Sequence, residues 1–157
     1  MRAKYNIFEQ DRADLRNGKC FIRHVDRFRP IRDWKEQQVW EIIKRYRVRV
    51  HPCYYMGWGR CSCRFCIFGN KNQFASAASI SPEQISRIIK LERDFGYTLK
   101  RNLSLPELIA MGCMYKNITP ELQRLVTSYN YEQAIILPAA EEWTLPPGAF
   151  GENCGAV

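Results

Sequence analysis

Four of the chain's seven cysteines fall within the fourteen residues from Cys53 to Cys66. Nothing else in the sequence constrains the fold as much. A Cys-x-x-Cys turn lets two thiolates bite one metal ion, and thiolates from the preceding loop can complete a tetrahedral sulfur site. Cys63 and Cys66 form that pair, and Cys53 and Cys61 complete the set. Cys61 stands two residues from Cys63, a spacing at which both thiols seldom reach one ion, so His51 is the substitute ligand. Free cysteine also packs as a compact apolar group, but four thiols at this density point to a bound metal or cluster. Soft thiolates suit an iron-sulfur cluster and zinc alike. A redox-active Cys63/Cys66 dithiol is a third reading, without the strand-then-helix context of thioredoxin-like motifs.

Composition sets the compartment in which this chemistry is expected. At 157 residues and 46% hydrophobic, the chain has material for one domain with a real core. No stretch approaches the run of about 20 apolar residues that a spanning helix needs. Met1 to Gln10 lacks the apolar segment of a signal peptide. A cytoplasmic protein follows, and in that reducing compartment the cysteines are not expected to be disulfides. The formal net charge of +8 is uneven: residues 1–70 hold 16 of the 24 Lys/Arg and 7 of the 16 Asp/Glu, and residues 71–157 are near neutral. Such a field favours an anionic partner, whether a nucleotide, a sulfated or phosphorylated ligand, or nucleic acid.

Residues 1–32 form a basic lead-in, predicted as a short helix and then a loop ending at Pro30. Residues 33–70 carry a helix and the cysteine loop. Asp33 and Glu36 have the form of a capping box, and Val39, Ile42, Ile43 and Tyr46 share one face, predicting a helix over 34–46. Arg47 to Val50 alternate as a short strand would, with Pro52 ending it and the cysteine segment following as a loop. Residues 71–157 are helical with an extended tail. After a polar, small-residue stretch from Asn70 to Ser79, helix starts appear at Ser81-Pro82, Ser104 with Glu107, and Thr119-Pro120. From Ala134 the prolines and glycines predict extended chain. Cys20 and Cys113 read as structural, and His24 as solvated in a basic loop.

The motifs, taken in order, resemble the C-terminal half of phosphoadenosine phosphosulfate (PAPS) reductase family proteins. They are Pro30-Ile31-x-Asp33-Trp34, Val39-Trp40, His51-Pro52-Cys53-Tyr54, Gly57-Trp58-Gly59-Arg60 and Ser62-Cys63-x-x-Cys66-Ile67-Phe68. The resemblance continues through Leu91-Glu92-Arg93-Asp94-Phe95-Gly96-Tyr97 and the ending from Trp143 to Asn153, as in a branch common in bacterial and phage genomes. It implies a mainly α chain with short β segments and a cysteine-rich metal-binding loop, the C-terminal portion of an α/β PP-loop (adenine nucleotide alpha hydrolase-like) protein.

The family's Ser-Gly-Gly-type loop, which cradles nucleotide phosphates, has no counterpart here. By resemblance the chain is a truncated product or one half of a split enzyme with a separate nucleotide-binding chain. Arg60 and Arg2 are the anion-contacting positions carried over, with Arg12 a further candidate. A guanidinium forks onto phosphate or sulfate oxygens in any setting. The reductases end in a Glu-Cys-Gly motif whose cysteine attacks the sulfate sulfur. Asn153-Cys154-Gly155 keeps the cysteine and glycine but not the acid or the following histidine. No catalytic residue is assigned. The resemblance therefore implies a component of a PAPS reductase-like oxidoreductase or sulfurtransferase, inactive alone, that meets an adenine nucleotide or phosphosulfate-type anion. A zinc- or cluster-stapled nucleic-acid-binding module is the alternative.

Overall fold

The computed structural model describes Phe8–Gln10, Asp26–Phe28 and residues 30–151. Arg2, Arg12, Cys20, His24 and Cys154 lie outside the described residues. The chain divides between Val39 and Trp40 into two compact units.

In the first unit β1 (Phe8–Gln10) pairs antiparallel with β2 (Asp26–Phe28), setting Phe8 opposite Phe28, Glu9 opposite Arg27 and Gln10 opposite Asp26. The helix predicted near the N-terminus is corrected at these positions. They lack a helical apolar period. A turn follows, in which the Trp34 N–H donates to the Ile31 carbonyl at 3.2 Å.

Helix α1 spans Glu36–Arg45, two residues later at its start than its apolar face predicts. Asp33 lies ahead of the helix start and pairs with Arg32 at 3.6 Å. Instead the Lys35 N–H donates to Gln38 Oε1 at 2.7 Å. At the far end Arg47 takes a left-handed conformation, φ 53°, which closes the helix. That turn shortens the predicted strand over 47–50 to one bridge, Val48 opposite Ile136. The bridge is flanked by Arg49 N–H to the Ile135 carbonyl at 2.7 Å and Leu137 N–H to the Arg47 carbonyl at 2.9 Å.

The rest is helical: α2 (Pro52–Met56), α3 (Lys71–Ile80), α4 (Pro82–Phe95), α5 (Leu105–Ala110) and α6 (Pro120–Thr127). Two of these correct the sequence reading. Helix α2 occupies the first part of the cysteine segment, with Pro52 at its first position and His51 as its cap. Helix α3 occupies the polar, small-residue stretch from Asn70 to Ser79, to which the sequence reading assigns no helix start. Asn70 and Gln73 form a reciprocal capping box, and Gln73, Phe74, Ser76, Ala77 and Ile80 are all buried, so no polar face marks the helix in sequence. The remaining three start where their caps predict. Ser104 and Glu107 make a capping box, Thr119 Oγ1 accepts from the Leu122 N–H at 3.2 Å, and α4 stops at left-handed Gly96.

Two hydrophobic clusters form the core. One joins Trp40, Val50, Leu137 and Trp143, with Tyr54 and Tyr55 packed against it. The other joins Phe74, Ile85, Leu105 and Leu108, with Phe65 against it. The cysteine segment thus carries an anchor into each cluster. The tail lacks helix and strand over residues 134–151 as predicted, yet it buries Leu137, Trp143 and Pro146. No helix among the described residues is long and apolar enough to cross a membrane.

Candidate metal centre

The ligand atoms of His51, Cys53 and Cys61 all lie within 4.8 Å of one another. Each is placed by a local device. Cys53 sits in the first turn of α2, and its N–H donates to His51 Nδ1 at 3.2 Å, which fixes the imidazole against the helix start. Gly57 ends α2 with φ 114°, and a Cβ there would press within 3.3 Å of the Tyr115 ring. The chain can therefore reverse at Gly57 and bring Cys61 back over the helix. Tyr54 completes the placement, because its hydroxyl accepts from the Cys61 N–H at 3.2 Å. The Tyr54 ring itself stands edge-on to buried Trp40 at 5.4 Å.

These three residues line a cleft of about 190 Å³, together with Met56, Trp58, Arg60, Ser62, Cys63 and Arg64. Arg64 locks the loop over it. The guanidinium donates to Gln84 Oε1 at 3.0 Å, to the Val126 carbonyl at 3.1 Å and to Ser81 Oγ. Met56, fully buried, forms part of the lining.

Electrostatics separate the thiols. Burial pushes the Cys53 thiol well above its ordinary range, and the neighbouring Cys61 thiol, hydrogen-bonded to it, pushes it further. Burial lowers the His51 imidazole, which favours the neutral ring. Cys66 behaves oppositely: the Phe68 N–H above all, with the Ser62 side chain, Arg60 and Lys100, holds its thiol below the ordinary range against the opposing effect of burial.

The donor set fits a soft or borderline dication. Tetrahedral zinc with bonds of about 2.1–2.3 Å sets its donors about 3.5–3.8 Å apart, a spacing compatible with three ligand atoms that all lie within 4.8 Å of one another. The Cys53 thiol, buried and held protonated beside Cys61, is also in an environment that a positive charge would relieve.

Of the residues singled out in sequence, Cys53, Cys61 and the substitute His51 are brought together, and Cys63 lines the same cleft. Cys66 does not line it. Arg60 does, and is exposed. Sequence reasoning missed Tyr54 and Arg64, which touch no metal but hold Cys61 and the loop. The signal for Arg64 was a cation inside an otherwise uncharged Cys-x-x-Cys.

No family model matches the chain, and no solved structure does. The chain is similar to two proteins, both without an assigned role. One is an uncharacterized 37.8 kDa protein of Escherichia phage 186, 34% identical over 92 residues, covering 59% of this chain and 25% of that protein. The other is an uncharacterized protein of Methanocaldococcus jannaschii, 22% identical over 122 residues, covering 78% of this chain and 28% of that protein. The chain thus spans about a quarter of the length of either relative.

Proposed function

We propose that this chain is the metal-thiolate module of a PAPS reductase-like sulfur-transfer protein. One observation carries the reading: Arg60 lines the same cleft as His51, Cys53 and Cys61. A metal held by those three residues and a phosphate or sulfate held by Arg60 would be neighbours, as a sulfur-handling centre requires. The motif resemblance supplies the chemical class, and the helical module corresponds to the C-terminal portion of a PP-loop protein. The donor set favours zinc over an iron-sulfur cluster, because two thiols and an imidazole with one position left open match a zinc site better than an all-cysteine one. When bound, the metal would supply positive charge to thiolates and to an incoming anion.

The test is metal analysis combined with thermal shift on anaerobically purified protein. Near-stoichiometric zinc is expected, lost on Cys53→Ser with Cys61→Ser. Sulfate or adenosine bisphosphate should raise the Tm, less so at high salt, and Arg60→Ala should abolish the rise. Metal-free, equally stable protein would remove the metal reading. Anion indifference, with DNA binding below micromolar at physiological salt, would replace sulfur chemistry with the nucleic-acid-binding module.

A further inference from the structure

A second concavity, of about 410 Å³, lies between the exit of the cysteine loop and the connection from α4 to α5. Leu99, Leu103 and Leu108 contribute its apolar lining, and Lys71, Lys100 and Arg101 its charge, with no acidic residue among the lining. We infer that this groove docks an acidic protein segment carrying a large apolar side chain.

Three observations carry the inference. The first is that the groove is built rather than incidental. Glu92, inside the Leu91 to Tyr97 motif, accepts from the Leu99 N–H at 2.7 Å and the Leu105 N–H at 2.9 Å, one carboxylate oxygen for each. Between those points Lys100 and Leu103 form a bridge, with Asn102 left-handed at φ 58°. The turn bearing Lys100 and Arg101 is therefore held at both ends, and a preorganised charge pair loses little freedom on binding.

Secondly, these cations are available. Among the described residues no ion pair engages Lys71, Lys100 or Arg101. Of the acids near this turn in the chain, Glu92 is spent on backbone N–H groups, Asp94 on Lys90 and Glu107 on Ser104. Lys100 Nζ stands 5.9 Å over the buried Phe74 ring, which orients it without neutralising it.

Thirdly, apolar surface continues past the floor onto the rim. Ile67 and Phe68 line the groove and remain 52% and 49% exposed. A small anion on the cations would leave both rings and branches in water, whereas a peptide with an aliphatic anchor flanked by carboxylates covers rim, floor and charge together. A nucleic-acid strand would satisfy the cations but not the leucine floor.

The inference does not depend on metal, since none of His51, Cys53 or Cys61 lines this groove. The test is a two-dimensional NMR titration of the full chain, with and without bound zinc. The probes are a blocked Glu-Asp-Leu-Leu-Glu-Asp peptide, its Lys-Lys-Leu-Leu-Lys-Lys counterpart, and oligothymidylate. The acidic peptide should shift the amides of Leu99, Leu103 and Leu108, and the basic peptide should not. Lys100→Gln with Arg101→Gln, which leaves the floor intact, should weaken binding about tenfold, and 0.5 M salt should weaken the unaltered protein in the same direction. The proposal falls if the acidic peptide shifts none of these amides, if binding ignores both the double substitution and salt, or if oligothymidylate displaces the acidic peptide from them.

Discussion

The Cys53 N–H donates to His51 Nδ1 across 3.2 Å, so the imidazole that stands beside two thiols is also the cap of the helix carrying one of them. A neutral imidazole has one lone pair. Here it is committed to the backbone, which leaves the ring proton on Nε2. Coordination through Nδ1 displaces the Cys53 N–H directly. Coordination through Nε2 moves the proton to Nδ1, where it faces that same N–H. Metal capture and helix capping therefore compete for a single pair of electrons.

That competition gives His51 two separable roles. Asparagine caps helices as well as any residue, so His51→Asn should leave the metal-free Tm nearly unchanged. It should also strip most of the Tm rise that zinc gives the unaltered protein. His51→Ala should cost about 1 kcal/mol of metal-free stability as well. Zinc stabilising the asparagine variant as strongly as the original would show that His51 only caps.

The pH dependence follows from Cys53. Its thiol is raised above the ordinary 9.0, first by burial and then by Cys61. Without metal, folded Cys53 keeps its proton where the unfolded chain would ionise, so this group's contribution to stability falls as pH rises above about 9. Zinc binding would reverse the sign, because the thiolate would be the ligand and affinity should then rise with pH. Calorimetry in buffers of different ionisation enthalpy should report about two protons released per metal at neutral pH. Release of none would mean that Cys53 and Cys61 are not both ligands.

Thiol reactivity should separate Cys66 from Cys53. The Phe68 N–H and Ser62 stabilise the Cys66 thiolate, whereas Cys53 is held protonated. Iodoacetamide at near-neutral pH should therefore modify Cys66 before Cys53, and Ser62→Ala should slow the Cys66 reaction. Peptide mapping over time reads the order. Equal rates at the two sites would contradict it.

Arg64 is the strongest structural commitment of the cysteine loop, joining it to Ser81, Gln84 and the Val126 carbonyl. Arg64→Met should lower stability by about 2–3 kcal/mol. Arg64→Lys should recover little, since an ammonium cannot fork to partners on two helices. Denaturant midpoints measure both, and a lysine variant as stable as the original would show that charge alone suffices.

The readable parts of this fold are those decided within a few residues. Ser104 with Glu107, Thr119 with Pro120, and Gly96 announce helix ends by chemistry that needs no tertiary partner. Helix α3 escaped because its buried face carries the polar Gln73 and Ser76 while Ala75 and Ala78 lie on the less buried side, so polarity does not follow burial and no apolar stripe shows. The predicted strand over 47–50 failed because its partner, Ile136, is remote in sequence, and because Arg47 adopts a positive φ that its side chain does not advertise. The crowding of thiols was plain in sequence, but which of them converge was not. Cys61 reaches Cys53 through a tyrosine hydroxyl and a glycine turn, whereas Cys-x-x-Cys spacing pointed to Cys63 and Cys66.

Gly148 lies so close to the cysteine segment that a Cβ on it would stand 2.2 Å from the Trp58 carbonyl oxygen and 2.7 Å from that of Tyr54. Its N–H donates to the same Tyr54 carbonyl at 2.8 Å. The backbone bearing Tyr54, and through it Cys61, is therefore braced by residues near the far end of the chain. During synthesis the thiols leave the ribosome long before this brace exists. Closing so long a loop is entropically opposed until its contacts form, so a nascent chain presents loose thiols, and the organised cluster arises only once translation has passed residue 148. Any metal held by these thiols would therefore load only after residue 148 has been added, and before that point they would be open to oxidation and to scavenging chelators.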